Sequence, residues 1–225
     1  ATNNSTKTPL QYVEKLSHFG VAVTEYQVVT SSQVASAYLK LNYPDKKHVY
    51  VIGEDGLRSA MIGNGFLIEE TDAFAVVAGM DHEFDYRKLS IANTLIRSGA
   101  LFIGTNNDLT FPTPEGLAPG AGSIIAAIQA SSGNPPLIMG KPESEIFNIC
   151  FNRLNTEPAN TLVVGDRLET DIAGGQKAGC PTALVLSGVT RKEDVEAWKP
   201  SVNYVFQDLE TLVEKLISND EYQKH

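Results

Sequence analysis

Two carboxylates, Asp166 and Asp171, stand in the stretch TLVVGDRLETD at residues 161–171. Residues 161–164 are apolar or β-branched and read as a short buried strand. Gly165 ends that run and lets the chain turn tightly. Asp166 is thereby placed at the carboxyl end of a strand, where open α/β sheets hold their ligands. Asp171 follows at the mouth of a helical stretch that Thr170 is positioned to cap. Oxygen donors fixed in this way suit a hard cation such as Mg²⁺, which usually keeps part of its water. By position alone, the same two residues serve equally well as caps of a turn.

Lys141 is the second group with chemical potential. It stands between Gly140 and Pro142, directly after an apolar strand. Glycine permits close approach and proline blocks an early helix, so the ammonium is aimed. Such a lysine neutralises phosphate as a point charge, although its position suits a surface lysine as well. The run Thr2-Asn3-Asn4-Ser5 precedes a helix and offers a hydroxyl and backbone N–H groups, which phosphate oxygens require. TNNS is also a good turn sequence. Gly120-Ala121-Gly122 does not continue into a dinucleotide fingerprint, the Gly-Lys pair lacks P-loop spacing, and no GxSxG elbow occurs. His48 and His82 are isolated and read as solvated or packed.

The elements that must position these groups alternate along the chain. Thr8, Pro9 and Gln11 open a helix with a capping box, and Gly20 stops it. A short strand is expected at 21–23, then a helix capped by Ser31 or Ser32 that ends before Pro44. From His48 onward the pattern is strand, helix, strand, strand, with Asp85 capping a helix that Gly99 ends. A long loop of Gly, Pro and Asn follows the strand at 100–103, and such loops are usually functional or mobile. Further strands are expected at 137–139, 161–164, 182–186 and 204–206, each followed by a helix. Alternation of this kind implies a mostly parallel sheet covered on both faces. Polar joints near 43–47 and 133–136 bracket a self-contained block. The fold class is therefore α/β, a Rossmann-like parallel-sheet core with an inserted α/β domain, the core being 1–46 and 137–225 and the insert 47–136.

Composition narrows the function. Of 225 residues, 42% are hydrophobic and 20% charged, as in ordinary globular proteins with a sizeable core. A net charge of −9 argues against general binding to nucleic acid or anionic membranes. Cys150 and Cys180 lack metal-ligand spacing and read as free thiols of a reducing, cytoplasmic compartment. No apolar run reaches the length of a membrane span.

TNNS before a helix, then GKP, then GDRLETD, in that order, resemble the second, third and fourth motifs of the haloacid dehalogenase superfamily. Between them, VVAGMDHEFDYRKL and GTNNDLTFPTPEG are similar to its nitrophenylphosphatase-like and sugar-phosphatase-like branch, whose insert is a large α/β cap. The resemblance covers essentially the whole chain. It implies a phosphatase of small phosphorylated metabolites, with Mg²⁺ as cofactor. Thr2 and the backbone of Asn3 would bind phosphoryl oxygens, and Lys141 would offset charge on the phosphate and nucleophile. Asp166 would bind the metal, and Asp171 would orient Lys141 or a metal-bound water. Arg167 would bind an aspartate or phosphate, or simply pack. Asn106, Asn107 and Asp108, in the cap loop 105–111, would approach the leaving group, unless that loop is a mobile surface segment. Capped relatives often pair through the cap, so a homodimer is in keeping with the resemblance.

The family's first motif is Asp-x-Asp at the end of its first strand, supplying the nucleophile and the general acid and base. No Asp-x-Asp occurs here, and only Ala1 precedes Thr2. The nucleophile is thus expected in sequence outside residues 1–225, on a strand beside 161–164. The competing reading is a catalytically inactive phosphate-binding or scaffold protein. Dehalogenase chemistry is disfavoured, because a lysine with paired carboxylates and a metal suits phosphate better.

Overall fold

A computed structural model describes residues 1–218. The chain divides into two compact units, Ala1–Lys141 and from Pro142 onward. Each is built from parallel strands joined by helices.

The first unit opens with α1 (Pro9–Ser17) and α2 (Ser31–Asn42). Thr8 and Gln11 form the expected capping box on α1. No α1 residue is buried, and Leu10 is 49% exposed. The cap of α2 is Thr30, reciprocally bonded with Gln33, rather than Ser31 or Ser32. Those two serines are buried and donate instead to carbonyls of the first loop. Residues 21–23 form no strand.

The sheet of this unit comprises β1 (His48–Ile52), β2 (Leu67–Ile68), β3 (Ala75–Ala78) and β4 (Leu101–Gly104). The helices α3 (Asp55–Gly63) and α4 (Tyr86–Arg97) cross between these strands, and Asp85 caps α4 as expected. The long Gly- and Pro-containing loop after β4 is not structureless. It carries an antiparallel hairpin, β5 (Thr110–Thr113) with β6 (Gly116–Pro119), before α5 (Ala121–Ser132). The final strand is β7 (Leu137–Ile138). It pairs with β4 through Ile103↔Leu137 and Gly104↔Ile138, so it joins the sheet formed by the insert. The complete order is β2-β1-β3-β4-β7, all parallel.

Residue alternation explains how this sheet is covered. Tyr50, Ile52, Val76, Ala78 and Phe102 share one face and pack against α4 and α5. Val49, Val51, Ala75 and Val77, between them, are equally buried. Leu39 of α2 and Leu57 and Met61 of α3 are also fully buried, supplying further apolar core.

The second unit runs α6 (Glu145–Leu154), β8 (Val163–Gly165), α7 (Ala173–Lys177), β9 (Thr182–Val185), α8 (Lys192–Ala197), β10 (Tyr204–Phe206) and α9 (Leu209–Ser218). Its strands form a parallel sheet in the order β10-β9-β8. Here the expected buried strand differs from the observed one. β8 starts at Val163, and Val164 is 39% exposed, because β8 is an edge strand with β9 as its partner. Cys180 lies in the turn between α7 and β9, and neither cysteine is in a disulfide.

Ile128 sits fully buried among the strands and α4. Truncation to alanine removes contacts that nothing refills, so Ile128→Ala is expected to cost about 2–5 kcal/mol in urea unfolding. A loss well under about 1 kcal/mol would show that this core does not pack as described.

Candidate active site

The loop of residues 2–7 is tied down at almost every position. Thr2 bridges to Thr30, with its N–H on the Val29 carbonyl at 2.9 Å and its carbonyl taking the Ser31 N–H at 3.0 Å. The Asn3 carbonyl accepts from Ser31 Oγ and from Asn106 Nδ2, both at 2.8 Å. Ser5 is buried, and its Oγ accepts from Thr105 Oγ1 at 3.3 Å and the Met80 N–H at 3.4 Å. The Thr6 carbonyl takes the Gly56 N–H at 2.9 Å. A methyl on Gly56 would lie 2.4 Å from the Lys7 carbonyl oxygen, so only glycine admits this approach. The loop therefore seats on residues that follow β1, β3 and β4, the carboxyl ends of a parallel sheet.

Asn3 makes the most telling contact. Its Oδ1 accepts the Lys141 backbone N–H at 2.7 Å, and its Nδ2 donates to the Lys141 carbonyl at 2.9 Å. The Lys141 ammonium then reaches back to the Ala1 carbonyl at 3.3 Å. Lys141 is thus brought to Thr2 and Asn3, from which it is far apart in sequence. The Asn3 side chain is spent on the Lys141 backbone, which leaves its main chain, and not its amide group, to face an anion. The Thr2 hydroxyl accepts from the Asn4 N–H at 3.2 Å. It also meets Tyr12, whose phenol burial raises above its ordinary value while the Thr2 hydrogen bond acts in the opposite direction.

Beside this loop lies a cavity of about 240 Å³, walled by residues that include Asn3, Thr6, Met80, His82, Asn106, Asp108 and Phe111. Asn106 is buried, and its Oδ1 accepts the Asp108 N–H at 3.0 Å. The Asp108 carbonyl caps the first turn of α5 by accepting the Gly122 N–H at 2.9 Å. Asp108 Oδ2 takes a long 3.4 Å contact from Asn3 Nδ2. Asn107 is exposed and outside the wall, its carbonyl pressed against Gly122. Of the three cap-loop residues singled out in sequence, Asn106 and Asp108 therefore line the cavity and Asn107 does not. Met80, His82 and Phe111 were not legible as site residues, since nothing local marks which loop residues will share a wall.

In the second unit, the turn after β8 is built around Asp171, which is 7% exposed. Its Oδ2 accepts the N–H groups of Asp166 at 3.2 Å and Arg167 at 3.1 Å. Any side chain at Gly165 would collide with it, a built Cβ lying 2.2 Å from Asp171 Cβ. The backbone of 168–172 forms a π-helical turn, and Thr170 makes no cap. Asp166 Oδ2 accepts the Val189 N–H at 3.0 Å, and Gly188 gives room for this approach. Arg167 contributes its N–H to Asp171. The turn-capping role is thus real for Asp171, while Asp166 keeps an oxygen, Oδ1, with no hydrogen bond among the described residues. Among the described residues, no group of three or more His, Cys, Asp or Glu side chains is arranged to hold a metal by itself.

Comparison with known proteins follows the same lines. A haloacid dehalogenase-like hydrolase family model matches residues 1–67, and a HAD-hydrolase-like model matches residues 138–212. The chain is 42% identical over 192 residues to a 5'-nucleotidase of Bacillus subtilis, covering 85% of this chain and 75% of that protein. It is 37% identical over 216 residues to an acid sugar phosphatase of Staphylococcus epidermidis, covering 96% and 83%. Among solved structures, it resembles a 4-nitrophenylphosphatase from Thermotoga maritima with a TM-score of 0.89 at 34% identity, covering 94% of this chain and 81% of that one. A glycerol phosphate phosphatase from Mycobacterium tuberculosis, solved with magnesium, gives a TM-score of 0.89 at 34% identity, covering 94% and 65%.

Replacing Asp171 with alanine strands two backbone N–H groups, those of Asp166 and Arg167. Asp171→Ala is expected to lower stability by about 1–3 kcal/mol in chemical denaturation. Asp171→Asn, which keeps an acceptor oxygen, should lose distinctly less. Equal losses would show that the carboxylate does not hold the turn.

Proposed function

The chain belongs to the phosphatases of the haloacid dehalogenase superfamily, in their nitrophenylphosphatase and sugar-phosphatase branch, and from that premise we propose a Mg²⁺-dependent phosphomonoester hydrolase that works through an aspartyl-phosphate. The substrates are small phosphorylated metabolites. The observation that carries this reading is the Asn3–Lys141 pairing, which gathers Thr2, Asn3 and Lys141 around one point. A hydroxyl, backbone N–H groups and an ammonium are what a phosphoryl group needs around it.

Thr2 and the Asn3 main chain bind the phosphoryl oxygens. Lys141 offsets negative charge that grows on the transferring group and its attacker, an electrostatic contribution that costs no reorganisation because the residue's root is already fixed. Asp166 would hold the metal, for which its hard oxygen donors, and an Oδ1 with no hydrogen bond among the described residues, are suited. One or two protein carboxylates, with further ligands from water and phosphate, are the usual arrangement for Mg²⁺. When bound, the ion neutralises charge on the phosphoryl oxygens. Asp171 keeps the turn rigid, so that the Asp166 carboxylate is held in place. The grouping is the family's own, with 1–46 and 137–225 as core and 47–136 as cap. The nucleophilic aspartate is assigned to sequence outside residues 1–225. Among the described residues β8 is paired on one side only, which supports this, since a strand carrying that residue would find backbone partners on the other side.

The test is hydrolysis of nitrophenyl phosphate by the natural protein with and without Mg²⁺. Chelation should abolish turnover, and Asp166→Asn or Lys141→Ala should each lower kcat by about 10²-fold or more. Unchanged turnover in both variants would refute the assignment. Phosphate binding without turnover in the parent would favour the inactive phosphate-binding alternative.

A further inference from the structure

We propose that His82, braced by Glu54, is a specificity-determining residue that hydrogen-bonds a hydroxyl of a neutral leaving group. The inference rests on the phosphatase reading above and assigns one residue of its cavity a task.

Three observations within the first unit converge on it. His82 lines the cavity next to Asn3, the residue that fixes Lys141, so a leaving group attached to phosphate at that loop enters the space His82 faces. The ring is held although the side chain is 64% exposed. Glu54 Oε1 accepts the His82 backbone N–H at 3.2 Å and also meets ring Nδ1. A carboxylate has no proton to give, so Nδ1–H donates. That leaves Nε2 as the ring's remaining polar atom, an acceptor in the neutral ring and a donor in the charged one. Either form suits a hydroxyl, which can donate or accept.

Glu54 itself points to a task beyond local structure. It occupies the N-cap position of α3, yet its side chain caps nothing on that helix. An acidic side chain at a helix start is ordinarily used on the helix's own free N–H groups. Here it is turned onto the histidine instead. Fixing an exposed ring costs side-chain entropy, which a purely solvated histidine has no reason to incur.

The remaining wall defines what the ring meets. Among the described residues, no lysine or arginine lines the cavity, while Asp108 does. A leaving group carrying a second anionic group would face that carboxylate without a counter-charge. Met80, Phe111 and Ala121 offer an apolar side for a short carbon chain. At about 240 Å³ the space is smaller than usual drug-sized sites, so a few carbons bearing hydroxyls fit better than a nucleoside.

The experiment is calorimetric titration of the protein with glycerol 3-phosphate and with propyl phosphate, which has the same carbon chain without hydroxyls. The parent should bind the hydroxylated ester about tenfold more tightly, the effect of one good hydrogen bond. His82→Ala should erase that preference, His82→Asn should retain part of it, and Glu54→Ala should weaken it by freeing the ring. A preference that survives in His82→Ala, or equal binding of both esters by the parent, would overturn the inference while leaving the phosphatase reading intact. Binding of neither ester would overturn both.

Discussion

One asparagine side chain organises the first unit. Asn3 offers Lys141 the same two hydrogen bonds that a neighbouring β-strand would, one accepted from its N–H and one donated to its carbonyl, across 138 residues of sequence. A side-chain amide is the natural mimic of a peptide group, because it carries one acceptor and paired donors. Each bond adds little net stability, but leaving the groups of a part-buried peptide unmatched would cost more. The pairing also tolerates no intruder. A methyl at Gly140 would fall 2.3 Å from the Thr105 carbonyl oxygen and 2.6 Å from Asn3 Oδ1. The first loop, the end of β4 and the Gly-Lys segment therefore meet where only a hydrogen atom fits. A charged side chain rooted there is oriented by backbone, and its exposed length does not loosen its base.

Much of this was legible in the sequence because it is encoded locally. The Thr8–Gln11 capping box, the Asp85 cap and the alternation of strands and helices each follow from neighbours a few residues apart. Where sequence reading departed from the structure, the deciding interaction was distant. Ser31 and Ser32 looked like caps but are drawn to the first loop's carbonyls, and Thr30 takes their place. The strand expected at 137–139 is β7 at Leu137–Ile138, and no local signal marks β4 as its backbone partner. The stretch after β4 read as an irregular loop because its prolines and glycines disguise a short hairpin. In the candidate site, the residue types and their order were visible, but the use to which Asn3 puts its amide was not. Nor was the pairing of His82 with Glu54, since 28 residues separate them and no periodicity links the two.

The turn after β8 has a structural role, and the proposed function adds a chemical one to the same motif. Asp171 accepts from two backbone N–H groups, and Gly165 exists as glycine because the Asp171 side chain occupies the space beside it. Asp166 is restrained from the other side by Val189 and Gly188. A carboxylate confined on both sides reaches a cation with little left to reorganise, which is the condition for a precise metal ligand. In the proposed function the two readings are compatible, because a turn held by one aspartate leaves its neighbour available to a ligand.

The hairpin of β5 and β6 closes on a rigid base. Gly120 donates to the Leu109 carbonyl at 2.7 Å and Gly122 to that of Asp108 at 2.9 Å, while the far end, around Thr113 and Gly116, projects into solvent. Lengthening, shortening or exchanging that tip would leave the stem, and with it Asn106 and Asp108, where they are. The fold thereby separates an exposed tip from a stem fixed by backbone hydrogen bonds. A swapped tip would act as an interchangeable module that spares the anchor beneath it.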